Sequence, residues 1–521
     1  MPENRHSEPQ PHEIDDATRR RMTDIGIDVD RSTEILSRLN RGDFDHIVPL
    51  EAQGIPEMDG ERIMDRRGTT SVSVPDARYH GLMKDLAPEI PRDRFGTVSD
   101  GIRTLDHESL RTIGVLLYPY LAYGVLNGGS ATSYADVRKN RSYDEELFEL
   151  YREPFERLSG ASRGRPKGIT PAYINPDGSD GASFLELKFR MVLRARETYR
   201  RTAEEFGVTP PAAADGSSLE AGLPFVEMTS LFTEDALREA YGDYRDSPYL
   251  RGLPGHAEAL DTASAVQPLL AAMTHSEAGR PRQFFLNAWG ESGRPLGLPG
   301  GHGQNFQVLA PVYRQLHEMG KRFVYLGNVD NVGFTIDPVS LAVLALREAQ
   351  AGFDFAFRTP VDVKGGILVY DRQGTLTCGD IGPAISKDAV LEAEAGGTKI
   401  LFNCATGLFS LDALVPNLQR IVDDLPMRIS DQEKDAGRYS QAEQVTWEVI
   451  GMLDEVLIFG IDKYRRFLAA KMLLESILTS GMYLERATEI QQTAPQLAEG
   501  LATVLREEYG MELRNGRWEP V

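Results

Sequence analysis

The stretch Lys321–Asp337, KRFVYLGNVDNVGFTID, restricts the folds open to this chain more than any other. Phe323 to Leu326 is a short apolar run rich in β-formers, the pattern of a strand buried on both faces of a sheet. Gly327 breaks the run, and Asn328, Asp330 and Asn331 follow at once. Ligands of open α/β sheets bind just beyond the carboxyl ends of the strands. A lone carboxylate delivered there, with amide side chains beside it, suits a Mg²⁺ that itself carries phosphate oxygens. The same residues also make an ordinary Asn/Asp turn, so the rest of the chain has to decide.

Elsewhere the pattern repeats. An apolar strand runs into Gly128-Gly129 within YGVLNGGSATSYAD, Tyr123 to Asp136. Glycines there let backbone N–H groups approach a phosphate or base, though any tight turn also favours them. Ser162 to Gly168 is a basic loop holding Arg163, Arg165 and Lys167; a strand is expected over Ile169 to Asn175 and a helix over Ser183 to Arg196. LPFVEMTSLF, Leu223 to Phe232, ends in Thr229-Ser230 before a helix start, and Gln283 to Trp289 reads as a further strand. GLPGGHGQN, Gly297 to Asn305, presents His302 in a glycine-rich loop whose backbone can fold close to a ligand. A helix at Phe306 to Met319, the organising strand and a helix from Pro338 to Ala351 continue the βα alternation of a mostly parallel sheet. Thr229, Asp330, Asp380 and Asn403 each end an apolar run, and such a series on one sheet edge makes a pocket. From Ala442 to the end the pattern is helical, and Lys471 lies within an apolar stripe there, either snorkelling or meeting an anion.

With 521 residues the chain has room for one large α/β domain with additions or for two to three ordinary domains. A formal net charge of −21 argues against a nucleic-acid or anionic-membrane binder, yet leaves room for a local phosphate pocket. Two cysteines, Cys378 and Cys404, provide neither a disulfide framework nor metal-ligand spacing. The first residues are polar, unlike a signal peptide, and read as a disordered tail to about Glu13; the expected home is the cytoplasm. Ile113 to Leu126 is too short to span a bilayer and contains Pro119.

LNGG at Leu126 to Gly129, PK at Pro166-Lys167, FVEMTS at Phe225 to Ser230 and GGHG at Gly300 to Gly303 come first. GNVDNVG at Gly327 to Gly333, DVKGG at Asp362 to Gly366, FN at Phe402-Asn403 and RRFLAAK at Arg465 to Lys471 follow. Together and in this order they resemble the eukaryotic-type UTP–glucose-1-phosphate uridylyltransferases over roughly residues 110 to 480. The resemblance implies an α/β fold, a GT-A-like, Rossmann-type mixed and mostly parallel sheet flanked by helices, with helical N- and C-terminal additions. Residues 1–109 would be a tail and helical annex, 110–430 the nucleotidyltransferase core, and 431–521 a mainly helical region contributing Lys471. It implies Mg²⁺ as cofactor on Asp330, with Lys167 facing the leaving phosphates and Lys471 near the bond being formed. Leu126, Asn127, Gly128, Gly129, Met228, Thr229, Gly301 and His302 would hold the nucleotide. Asn328, Lys364, Gly366, Asp380 and Asn403 would hold the sugar phosphate. The expected partners are these small molecules, with no nucleic acid and no membrane.

This chain departs from the family in its base and sugar loops. After LNGG the family carries Leu-Gly-Thr and later a lysine, where Ser130 to Asp136 stands here; GHGD becomes GHGQ with Gln304, and NTNN becomes Asn403 to Thr406. An insertion of roughly 25 residues precedes Pro166, long enough to expect a function or a lid. The default reading is UTP plus glucose 1-phosphate giving UDP-glucose and pyrophosphate. The alternatives are GTP or ATP with a different sugar or cyclitol phosphate, or a catalytically silent sugar-nucleotide-binding protein.

Overall fold

A computed structural model describes residues 14–44, 50–129, 131–132, 134–211, 223–359, 362 and 364–521. The expected N-terminal tail, and Ser130 and Ser133 of the base loop, lie outside them. Eight strands form the path of the central sheet: β1 (Ile63–Asp65), β2 (Leu121–Leu126), β3 (Phe225–Ser230), β4 (Ala263–Gln267), β5 (Phe323–Asn328), β6 (Ala351–Phe357), β9 (Leu401–Ser410) and β12 (Val456–Ile461). Between β6 and β9 comes the hairpin β7 (Gly366–Tyr370) and β8 (Leu376–Asp380); between β9 and β12 comes the hairpin β10 (Met427–Lys434) and β11 (Gly437–Gln444). The order across the sheet is β1-β12-β6-β9-β5-β2-β3-β4, with β7 joining β9 and carrying β8. Every neighbouring pair on the path is parallel except those of β9, which runs against both β5 and β6.

The parallel strands are apolar because helices cover both faces. β2, β3 and β12 are buried at every position, and β5 is buried up to Asn328. The helices that matter for the site are α1 (Val137–Tyr143), α2 (Arg152–Ser162), α3 (Phe184–Phe206), α4 (Pro338–Arg347) and α5 (Leu473–Thr479). α3 opens with the expected Ser183 cap, whose hydroxyl accepts from Glu186 N while the Glu186 carboxylate accepts from Ser183 N.

The sequence reading needs correcting in four places. Residues 431–521 are not mainly helical: they hold the end of one hairpin, the central strand β12, and a terminal hairpin of Met511–Arg514 and Arg517–Pro520. VLIFGI is apolar throughout, so periodicity cannot separate a buried strand from a buried helix there. The boundary at 109/110 puts β1 in an annex, whereas Ile63 and Met64 pair with Ile458 and Phe459 inside the main sheet. The N-terminal region also holds a small sheet of Val72–Pro75, Thr97–Ser99 and Ile102–Leu105, so it is not purely helical. Ile169 to Asn175 and Gln283 to Trp289 make only isolated bridges and single turns instead of strands. Among the described residues no helix is long and apolar enough to cross a membrane.

Candidate active site

Because seven path strands run the same way, β2, β3, β4 and β5 deliver their carboxyl ends to one edge. Asn403 reaches that edge from the opposite direction. It lies near the start of the antiparallel β9, facing Phe355, and does not end a strand as expected. Asp380 ends β8 opposite Gly366 of the hairpin. A cavity of about 320 Å³ opens here, lined by Asn328, Asp330, Gly366, Asp380, Asn403 and Lys471 together with His302. Residues from five separate stretches of sequence thus meet at one place.

Lys167 does not itself line this cavity; its Nζ sits 2.5 Å from Asp330 Oδ2 and also donates to the carbonyl of Ala470, next to Lys471. The Tyr134 ring packs beneath this ammonium, 4.8 Å from ring centre to nitrogen. Below the Asp330 turn lies a group that sequence reasoning missed, the fully buried Lys188 on α3. Its ammonium donates to the carbonyls of Asn331 and Phe334 at 2.6 and 2.7 Å, and burial pushes it well below the ordinary lysine range. A lysine on the inward face of a helix, three residues from an apolar neighbour on each side, was the available signal.

Lys471 itself is exposed. The structure overturns its place in a helical stripe: the chain leaves the helix after Arg466 and runs irregularly to Met472 before α5. Bonds from both sides hold this strap, with Val332 N donating to Leu468 O, Ala470 N to Asp330 O, and Leu473 N to Tyr134 O. Lys364 is also exposed and does not line the cavity, while its neighbours Gly365 and Gly366 do. The lysine of DVKGG therefore sits outside the pocket in this conformation.

Of the residues expected to hold the nucleotide, Leu126, Met228 and Thr229 are buried at strand ends, and the Thr229 hydroxyl is a buried group without a hydrogen-bond partner among the described residues. Asn127 is spent internally: its amide donates to Glu227 at 2.7 Å and its carbonyl accepts from Gly168 N at 3.2 Å. It therefore positions the Pro166-Lys167 loop instead of offering itself to a base. Gly128 packs beside Gln267 of β4, another residue the sequence did not single out. Gln267 Nε2 donates to the Gly301 carbonyl and to Gln304 Oε1, which also accepts from Gly300 N. The Gln304 departure is thus a buried tie that closes the glycine loop on itself. The glycines serve the same end, since a Cβ on Gly303 would stand 2.7 Å from Gln444 of β11.

His302 is held by Thr446, whose backbone N–H donates to Nδ1 at 3.1 Å. The ring is therefore neutral with its proton on Nε2, and burial, with Arg428 nearby, pushes its pKa down to about 4. At the Asp380 wall of the cavity, Arg428 of β10 bridges Asp380 at 2.9 Å and Glu448 at 2.6 Å, and Trp447 adds to the lining. None of Arg428, Glu448 and Trp447 was singled out from sequence: Glu448 and Trp447 lie in the stretch read as helical, and Arg428 lies in a hairpin strand for which the sequence reading named no element. Cys378 and Cys404 are free and buried, and burial raises both thiols.

No cluster of three His, Cys, Asp or Glu side chains that could cage a metal exists among the described residues. Asp330, with Asn328 beside it, fits a Mg²⁺ that takes its remaining oxygens from phosphates and water.

A mostly parallel α/β sheet that gathers Lys167, Asp330 and Lys471 at the carboxyl edge of its strands has its cavity where such sheets commonly bind ligands. Residues 292–503 match the family profile described as UTP–glucose-1-phosphate uridylyltransferase. A "Probable UTP--glucose-1-phosphate uridylyltransferase" of Schizosaccharomyces pombe is 25% identical over 232 residues, 43% of this chain. The alignment spans only 38% of that relative's own length. Among solved structures, a UDP-glucose pyrophosphorylase from Leishmania major superposes with a TM-score of 0.53 at 16% identity, covering 90% of this chain and 79% of that one. A UDP-glucose phosphorylase from Trypanosoma brucei gives 0.47 at 16% identity, covering 78% and 68%. The first of these supports a shared fold.

Proposed function

We propose that this protein is a nucleotidyltransferase that joins a nucleoside triphosphate to a sugar 1-phosphate, giving a nucleoside-diphosphate sugar and pyrophosphate. The default pair is UTP and glucose 1-phosphate. The observation that carries the proposal is the meeting of Lys167, Asp330 and Lys471, from three distant stretches, at the carboxyl edge of one sheet. The family match of residues 292–503 supports the same class.

A phosphate oxygen of the sugar 1-phosphate attacks the α-phosphorus, a new P–O bond forms in line, and the bond to the β-phosphate oxygen breaks. Such a transfer needs no protein nucleophile, only alignment and positive charge on the oxygens that gain it. Lys167 sits on the nucleotide side and takes charge on the leaving pyrophosphate. Lys471 reaches the open cavity and holds the attacking phosphate toward the α-phosphorus. His302 donates from Nε2 without ever acting as an acid near neutral pH. Asp380, braced by Arg428, and Asn403 offer oxygens and an amide to sugar hydroxyls. Mg²⁺ on Asp330, when bound, neutralises phosphate charge. Lys364, exposed beside Gly365, would have to swing inward to contact the sugar phosphate.

The test is pyrophosphate release from Mg²⁺, glucose 1-phosphate and each of the four ribonucleoside triphosphates in turn. Release with UTP supports the default pair. Release with GTP or ATP alone moves the assignment to the changed base loop. Silence across a panel of sugar and cyclitol phosphates with all four nucleotides would overturn the transferase reading in favour of a binding protein.

A further inference from the structure

The insertion between the base loop and Lys167 is built into the core. Leu147, Phe148, Tyr151, Phe155 and Leu158 are all buried, which is unlike a lid that swings over solvent. Its contacts converge on the first turn of α5, which anchors the end of the strap carrying Lys471. Asn140 of α1 is completely buried. Its carbonyl oxygen accepts from Leu474 N at 2.9 Å, and its amide donates to the carbonyls of Tyr134 and Asp136 at 2.9 and 2.8 Å. Both donors and the acceptor are therefore used, and the amide orientation is fixed by them. The Tyr134 carbonyl accepts in addition from Leu473 N at 3.0 Å, and the Tyr134 hydroxyl meets Ser476 Oγ at 2.7 Å. Ser159 of α2 steadies the same loop by donating to the Ala135 carbonyl at 3.0 Å.

From these contacts we infer that residues 137–165 are a brace for Lys471, with Asn140 as its positioning residue. This inference rests on the transfer role given to Lys471 above. On the other side the strap is tied to the Asp330 turn through Ala470 N and Leu468 O. Lys471 thus sits on a short irregular segment clamped between the carboxylate turn and the insertion, and the ammonium's reach depends on both clamps. Displacement of a reacting group by about 1 Å costs up to roughly 100-fold in rate without touching the chemistry. The brace also joins the base loop to the lysine, because Tyr134 belongs to that loop, lies under Lys167 and bonds to α5.

Asn140→Ala, Lys471→Ala and the double variant test this. Asn140→Ala should lower kcat about tenfold, with KM for the nucleotide within about twofold of wild type. In the Lys471→Ala background the same change should add nothing, because the brace acts only through that side chain. Multiplying effects in the double variant would overturn the inference. Amide exchange gives a readout independent of activity: Leu473 and Leu474 should exchange at least about tenfold faster in Asn140→Ala, and unchanged exchange would also overturn it. If Lys471→Ala turns over like wild type, the role of Lys471 fails, while the exchange result still decides whether the brace exists. Should Asn140→Ala not fold, Tyr134→Phe removes only the bond to Ser476 and keeps the ring beneath Lys167. It should show the same kcat-selective, non-additive behaviour at a smaller size.

Discussion

Lys167 and Asp330 hold each other at 2.5 Å with side chains only 12% and 18% exposed, so neither charge is well solvated and each depends on the other. Asp330→Asn keeps the shape and one hydrogen-bond acceptor for Lys167 while removing the charge; Asp330→Ala removes both. Turnover in either variant should fall by about three orders of magnitude or more, with cooperative unfolding retained. Pyrophosphate release and a thermal melt check this, and near-normal turnover would remove Asp330 from the machinery. His302 offers a pH test. Its folded-state value of about 4 lies below the ordinary 6.5, so the unfolded chain binds a proton first as the solution is acidified. The neutral ring's contribution to stability is complete above about pH 6.5 and is lost as pH falls through about 4. In His302→Gln the melting temperature should vary less across that window than in the wild type. A slope unchanged by the substitution would mean another group titrates there.

The turn after β5 and the glycine loop before it are shaped by elements far away in sequence. α3 supplies Lys188, and replacing it with Met removes two buried hydrogen bonds to the Asn331 and Phe334 carbonyls, which keep Phe334 N and the Tyr123 hydroxyl as their other donors, costing about 2 kcal/mol in denaturant unfolding. Because those carbonyls belong to the Asp330 turn, turnover should fall as well. Likewise β11 presses Gln444 against the glycine loop, and Gly303→Ala places a Cβ in the way. Backbone must shift, costing about 1–3 kcal/mol, and KM for the nucleotide should rise as the loop moves off Gln267. A melt and a Michaelis–Menten titration together separate these effects. A variant of wild-type stability would show the loop to be softer than its packing indicates.

Across the molecule the sheet gathers strands from nearly the whole chain: β1 begins at Ile63, and β12 ends at Ile461 between β1 and β6. Arg66, just past β1, pairs with Asp337 at 2.8 Å ahead of α4, and Arg466, just past β12, pairs with buried Asp354 of β6 at 3.0 Å. An excised 110–430 fragment would lack two strands of the sheet and both arginines. It should show no cooperative transition by calorimetry, whereas the full chain should. Cooperative melting of that fragment would restore the domain boundary expected from sequence.

What the sequence determined by itself was the identity and local setting of the strand ends. Apolar runs such as Phe323–Leu326 followed by Gly and Asp, or Phe225–Ser230 followed by a helix start, carry short-range signals in periodicity and turn chemistry. Asp330 and Asp380 were legible for that reason, as was Lys167 through its motif, whereas Asn403 was read as a strand end and lies near the start of β9. The tertiary structure alone decided what those residues face. Asn127 and Gln304 turned inward as ties, Lys188 moved beneath the turn, Arg428 came to Asp380, and Lys471 left its helix for a strap pinned by Asn140. Burial partners and the antiparallel direction of β9 are set by long-range packing, where hydrogen bonds between distant segments outweigh local propensity.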